Sequence, residues 1–491
     1  MSEQKDKKIE DDTKEDKTPT PEEKTSVTKH TISIKGKKLN YTVTAGTILL
    51  KEEDVDKGAK AKASIFYVAY TLDDVEDHAT RPITFSFNGG PGSSSVWMHL
   101  GLLGPKRVEV PEDGSPATPP YELIENEFTM LDKTDLVFID PVSTGYSRSV
   151  PGEQPDQFHG YKKDIESVGD FIHQYATRNH RWSCPKFIIG ESYGTTRAAG
   201  LSTYLQDRHG MYLNGLMLIS SILNFSTARF DAGNDLPYLL FLPTYTATAW
   251  YHNKLSPEFQ KDLVATIAKV KDFAYNQYAL ALMQGSQLSD EERNDVAEKL
   301  AAFTGLTKEY VLQTDLRIEI FRFCKQLRRD ESLAVGRLDS RFVGKDRDDA
   351  GEVFERDPSY SIILGPYAAT MNQYVRQELE FENELPYEIL APLYQKWSYS
   401  NVENQYLNVA EELRKAIVTN PGLKVFVANG YFDFATPFFA TEYTFNHMGL
   451  PKEYLDNISM DYYEAGHMMY VHLPSLVKVK KDLDNFIDQS K

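Results

Sequence analysis

Strand-like apolar runs alternate with helix-like segments from about residue 83 to residue 223, stop, and resume only beyond residue 400. No other feature narrows the fold as much, because strands separated by helices build βαβ units and therefore a mostly parallel sheet flanked by helices. The early strands are expected at 83–87, 136–139, 187–189 and 216–223. A helix over 161–178 carries Ile165, Val168, Phe171, Ile172 and Tyr175 on one face. The later set is a helix over 402–418, a strand over 425–428, a helix after Pro437, a strand over 458–463 and a last helix from Pro474. Alternation over 31–52 and 63–72 predicts antiparallel strands ahead of the first unit.

Between the two sets the pattern is helical. Ser256-Pro257 predicts a helix start, with serine as N-cap and proline in the first turn, running to about Met283. Another helix begins at Ser289, and a third is expected over 307–327. The reading is one α/β core in two parts, 31–230 and 399–491, interrupted by a helical cap insertion over 231–398. Residues 1–30 mix Lys, Glu, Asp, Thr and Pro without an aromatic side chain, which predicts a disordered charged tail.

The strand at 187–189 runs into Gly190-Glu191-Ser192-Tyr193-Gly194 and then a helix. This fits G-x-S-x-G, in which a serine tops a sharp strand-to-helix turn with its hydroxyl exposed. A chain of this length carries such a match by chance about one time in ten, so context decides. A serine is a poor nucleophile until a base takes its proton. A carboxylate behind the imidazole then fixes the tautomer and stabilises the imidazolium. In an α/β-hydrolase these groups follow in the order Ser, Asp or Glu, His, each on a loop after a strand. Of the eleven histidines, His447, His467 and His472 lie in the right part of the chain. His467, in the loop after 458–463, is the best placed base. His447 sits at a helix end and His472 just before the last helix. Asp433 is the carboxylate in the loop after 425–428. A developing oxyanion needs N–H donors. One candidate is the Tyr193 N–H, which follows the serine. The second comes from Asn88-Gly89-Gly90-Pro91-Gly92, where glycines allow close approach to a ligand. Each element alone reads more simply as a turn or packing residue; four in this order do not.

These residues resemble the serine carboxypeptidase family of α/β-hydrolases. The matching stretches are "NGGPGSSS" (88–95), "LVFIDPVSTGYSRS" (136–149), "GESYG" (190–194), "NGYFDFATP" (429–437) and "EAGHMMY" (464–470). The resemblance, taken as that to a bacterial-type member, implies a triad of Ser192, Asp433 and His467. It implies an oxyanion hole from Gly90 and Tyr193, and a site for the substrate's C-terminal carboxylate from Asn88, Gly89 and Glu191. It implies no cofactor and no metal. The expected activity is a serine-type carboxypeptidase that removes C-terminal residues from peptides through an acyl-enzyme. An esterase or acyltransferase on the same fold is the alternative. An inactive binding protein of this fold should lack a triad member, and none is missing. The insertion is expected to lie over the active site and set access to it. Three positions depart from the family pattern: Ser86 stands where it has tryptophan, Ser93 where it has cysteine, and Leu102-Leu103 where an acidic residue is common before Gly104-Pro105.

Glu191 carries the specificity argument. A carboxylate that faces a substrate carboxylate repels it unless the two share a proton, so one pKa must rise. The remaining composition excludes other classes. A formal net charge of −18 argues against nucleic acid as a partner. No apolar run of about eighteen residues predicts a membrane span. The first residues lack the apolar centre of a secretory signal, so a cytoplasmic site of action is expected. Two cysteines, Cys184 and Cys324, allow one disulfide without implying it, and make neither a disulfide framework nor a zinc site. The expected partner is a peptide substrate.

Overall fold

The computed structural model describes residues 21–54 and 58–491. One sheet organises them, built from β1 (Thr25–Ile34), β2 (Lys37–Asp54), β3 (Gly58–Leu72), β4 (Ile83–Phe87), β5 (Asp135–Ile139), β6 (Lys186–Ser192), β7 (Gly215–Ser221), β8 (Lys424–Gly430) and β9 (Ile458–Tyr463). The spatial order is β1-β2-β3-β5-β4-β6-β7-β8-β9, with the short strand Arg148–Ser149 beside β3. β1, β2 and β3 pair antiparallel, and β3 joins β5 antiparallel. From β5 to β9 every pairing is parallel.

The parallel strands are covered on both faces. Leu136, Phe138, Phe187, Ile189, Met217 and Ile219 point into one core, with the helices Pro358–Gln377 and Leu473–Ser490. Val137, Ile139, Ile188, Leu216 and Leu218 point into the other, under Tyr161–Arg178, Tyr193–His209 and Ala410–Thr419. Burial on both sides is why these strands read as continuous apolar runs rather than as alternation.

Several expected boundaries shift. Residues 25–30, expected in the charged tail, belong to β1, which pairs with β2. β1 is an edge strand whose side chains stay largely exposed until Ile32, so it carries little apolar signal. The rest of the tail reading, over 1–20, lies outside the described residues. The helix expected from Ser256 begins at Leu263. Asp262 caps it by accepting from the Ala265 N–H at 3.0 Å. The Phe259 and Gln260 carbonyls meanwhile accept from Thr266 and Trp250 side chains, which keeps 256–261 out of the helix. The helix expected over 307–327 divides into Lys308–Gln313 and Ile320–Gln326, because Asp315 and Leu316 adopt positive φ between them. The helix expected over 402–418 is Ala410–Thr419.

The insertion carries the helices Leu236–Tyr251, Leu263–Phe273, Asp290–Thr304 and Pro358–Gln377, and a small ribbon, Ala334–Val335 with Val343–Gly344. The apolar core of its earlier helices is shared with Phe432, Phe434, Phe438 and Phe439 of the second α/β part, which seats them at the sheet's carboxyl-terminal edge, whereas Pro358–Gln377 packs into the core on the sheet's face. The chain then returns along the core, bridging Glu388 to Gly145, Leu390 to Ser93 and Ser398 to Gly160. Among the described residues no helix is long and apolar enough to cross a membrane.

One buried ion pair ties the layers near β6. Arg197, in the helix after Ser192, donates from Nε to Asp164 Oδ2 at 2.8 Å and from Nη1 to the Asn88 carbonyl at 2.7 Å. It thereby joins two helices to the loop that follows β4. Arg197→Met leaves Asp164 buried without its partner, a change that costs about 3–5 kcal/mol in comparable pairs. The expected outcome is a melting temperature lowered by several degrees; an unchanged thermal unfolding curve would show that the pair holds nothing together.

Candidate active site

The elbow is set by backbone approach. Ser192 has φ 61° and ψ −130°, a conformation that costs a non-glycine residue free energy and persists only where the surroundings enforce it. A Cβ on Gly190 would stand 2.2 Å from the Gly194 carbonyl oxygen, so only glycine allows the turn to close. A Cβ on Gly89 would stand 2.4 Å from the Tyr193 nitrogen, which shows how closely the loop after β4 lies against the elbow. Gly90, the other expected oxyanion donor, is in that loop at φ 105°. Because β4 and β6 are neighbours, with Phe87 beside Gly190, the two expected N–H donors come from adjacent strand ends.

Beyond β8 and β9 the structure brings Asp433 and His467 together. His467 Nδ1 lies 2.7 Å from Asp433 Oδ2. The same oxygen accepts from Thr436 Oγ1 at 2.6 Å, and Oδ1 accepts from the Ala435 and Thr436 N–H groups at 2.7 and 3.0 Å. The carboxylate is buried but fully supplied with donors, which holds it in one orientation. With Nδ1 committed to Asp433, proton transfer falls to Nε2. Burial would depress the imidazole, but the charge and hydrogen bond of Asp433 raise its pKa above the ordinary histidine value. β6, β7, β8 and β9 are consecutive neighbours, so Ser192, Asp433 and His467 all emerge at one edge of the sheet. The other two histidines are engaged elsewhere: His447 Nδ1 meets the Tyr443 carbonyl at 2.7 Å, and His472 Nδ1 meets Ser475 Oγ at 2.8 Å.

Asn88 and Glu191 also come together. The Met98 N–H donates to Asn88 Oδ1 at 3.2 Å, which turns the Asn88 amide so that Nδ2 donates to Glu191 Oε1 at 2.8 Å. The other oxygen, Oε2, accepts from the Tyr470 hydroxyl at 2.7 Å. Burial pushes the Glu191 carboxyl up to about 7, although His467, Tyr470 and Asn88 each pull it down. Tyr470 was not singled out by sequence. Its signal is positional, three residues after His467, but its partner is 279 residues away in the chain. The departures have local accounts in two cases. Ser93 Oγ accepts from Trp97 Nε1 at 2.8 Å, a polar tether where the family has cysteine. The Leu102 carbonyl accepts from Asn126 Nδ2 at 2.9 Å, so that segment is braced by an amide. Ser86 Oγ is buried with no hydrogen-bond partner among the described residues.

A model of the serine carboxypeptidase family matches residues 54–469. The pheromone-processing carboxypeptidase KEX1 of Saccharomyces cerevisiae is 33% identical over 156 residues, 30% of this chain and 20% of that protein. The aligned stretch thus spans about a fifth of the length of that curated relative. Serine carboxypeptidase-like 22 of Arabidopsis thaliana is 21% identical over 403 residues, 78% of this chain and 74% of the relative. Among solved structures, the crystal structure of KEX1(delta)p, a prohormone-processing carboxypeptidase from Saccharomyces cerevisiae, superposes with a TM-score of 0.59 at 16% identity, covering 91% of each chain. That likeness establishes the α/β-hydrolase fold.

If Ser192 is the nucleophile, a fluorophosphonate labels the protein once and Ser192→Ala abolishes the label; mass spectrometry of the intact protein reads both. Asp433→Asn, which preserves shape but permits the wrong imidazole tautomer, is expected to lower kcat by about 10³- to 10⁴-fold. Turnover within tenfold of the parent would remove Asp433 from the triad.

Proposed function

The chain belongs to the serine carboxypeptidase family, and from that membership we propose that it hydrolyses C-terminal residues from peptides through an acyl-enzyme on Ser192. In this reading His467 takes the Ser192 proton through Nε2 as the hydroxyl oxygen attacks the scissile carbonyl. Asp433 stabilises the imidazolium, and the Gly90 and Tyr193 N–H groups receive the oxyanion. His467 then protonates the leaving amine, and water repeats the sequence on the acyl-enzyme. Asn88, Gly89 and Glu191 hold the terminal carboxylate.

The observation that carries the exopeptidase reading is Glu191. It is buried next to the Asp433–His467 pair, and burial lifts its carboxyl to about 7. Below that pH it is protonated and can donate to the substrate's terminal carboxylate; above it, two carboxylates face each other. A cytoplasmic site of action is part of this reading: Cys184 and Cys324 are both buried and unpaired, as a reducing compartment leaves cysteines.

For wild type, kcat/KM on a blocked dipeptide with a free carboxylate is expected to be bell-shaped, rising as His467 loses its proton and falling on the alkaline side as Glu191, its carboxyl lifted to about 7, loses its own. Glu191→Gln keeps a donor at all pH values, so its alkaline side should be flatter, while the corresponding dipeptide amide should barely register the change. Identical profiles for both proteins on both substrates would refute carboxylate recognition by Glu191 and favour an esterase. Tyr470→Phe removes a donor that pulls the Glu191 carboxyl down. The alkaline limb on the free-acid substrate should therefore move to higher pH, and a limb that stays put would show that Tyr470 has no hold on Glu191.

A further inference from the structure

The ribbon of the insertion ends in a loop whose residues 337–341 reach both loops of the Asp433–His467 pair. The Arg337 carbonyl accepts from the Phe434 N–H at 3.1 Å, and the Ser340 N–H donates to the Phe432 carbonyl at 3.0 Å. Both chain neighbours of Asp433 are therefore bonded to this tip. Ser340 Oγ donates to the same Phe432 carbonyl at 3.0 Å. On the other side, the Leu338 carbonyl accepts from the His467 N–H at 2.7 Å. Asp339 Oδ2 accepts from the Gly466 N–H at 3.1 Å, and Arg341 Nη1 donates to the Glu464 carbonyl at 3.2 Å. A Cβ on Gly466 would stand 2.5 Å from the Asp339 side chain, so the two segments are in direct contact.

The tip is itself rigid. Arg341 grips Asp339 through two bonds, Nε to Oδ1 at 2.9 Å and Nη2 to Oδ2 at 2.6 Å, and both side chains are buried. The Arg337 and Leu338 N–H groups donate to Asp357 Oδ1 and Ser359 Oγ at the start of the Pro358–Gln377 helix. Ser340 Oγ also lies 2.6 Å from Thr248 Oγ1, and the Ser340 carbonyl lies 2.7 Å from His252 Nε2. Two elements of the insertion thus brace the tip from behind.

We propose that the tip of the insertion, residues 337–341, is a positioning device for the catalytic base, with Asp339 setting the loop that aims His467 at Ser192. The proposal rests on the reading of Asp433 and His467 as acid and base. Nothing in the tip touches the reacting atoms; it acts by fixing the imidazole's approach, where small misplacements cost rate steeply. The insertion and the base are then coupled: a movement of its helices that shifts the tip also shifts the base.

The test compares Asp339→Asn, His467→Ala and the double variant. Asn keeps the size of Asp339 but loses the charge that Arg341 grips. Asp339→Asn is expected to lower kcat at least tenfold, leave KM within about twofold and slow fluorophosphonate labelling by the same factor as kcat. In the His467→Ala background the same substitution should change residual labelling less than twofold, since a residue that works through the imidazole is silent once it is gone. A purely structural role would slow both backgrounds alike and would overturn the proposal, as would normal kcat in folded Asp339→Asn. If Asp339→Asn cannot be purified folded, Arg341→Lys, which keeps the charge but loses the double bond to Asp339, must show the same fall in kcat; normal kcat there also overturns it. Near-normal turnover in His467→Ala instead sinks the acid–base reading itself, which separates the two failures.

Discussion

Everything at the candidate site hangs on the approach of two backbones at the ends of β4 and β6. The elbow closes because Gly190 leaves room for the Gly194 carbonyl, and the preceding loop can lie against it because Gly89 leaves room for the Tyr193 nitrogen. This geometry places Ser192 in an unfavourable conformation, so it must be held from outside. Thr195 does part of this: its Oγ1 donates to the Ser192 carbonyl at 2.7 Å and accepts from the Ile222 N–H at 2.9 Å. Arg197 does another part by gripping the Asn88 carbonyl. The turn is therefore held through the helix that follows it, which is bonded to the segments just beyond β7 and β4.

Two buried carboxylates near one imidazole are treated differently. Asp433 receives two backbone N–H groups, a hydroxyl and the imidazole. Glu191 receives one amide and one phenol, and burial prevails over them. The two carboxylates are thus set apart by their donors, four for Asp433 against two for Glu191. The same His467 charge that Asp433 favours also pulls the Glu191 carboxyl down, while Glu191 in turn raises the imidazole, so His467 and Glu191 are coupled.

The parts legible in the sequence are those whose signal is local. The parallel strands announce themselves because both faces are buried, and GESYG announces a turn because its glycines are required within a few residues. Asp433 and His467 follow from chain order once the strands before them are recognised. What escapes is non-local or has competing local signals. β1 is an edge strand with polar alternation, so Thr25 to His30 resemble a charged tail. Ser256-Pro257 and Asp262 both look like helix starts, and only the tertiary use of the Phe259 and Gln260 carbonyls decides for Asp262. Tyr470 and Asp339 carry no pattern of their own; each matters only because the fold brings a distant partner to it.

The break in the βα pattern has a consequence for the order in which the molecule is made. Gly215 on β7 lies beside Lys424 on β8, so the growing chain must carry an open β7 edge while the whole insertion is synthesised. Asp433, His467 and Tyr470 are all made after the elbow, the loop that follows β4 and the insertion. On the proposed roles, a nascent chain can therefore present the elbow serine before the groups that would activate it exist. On the proposed assignment the site is completed only after the whole insertion has been synthesised, a delay that follows from chain order alone.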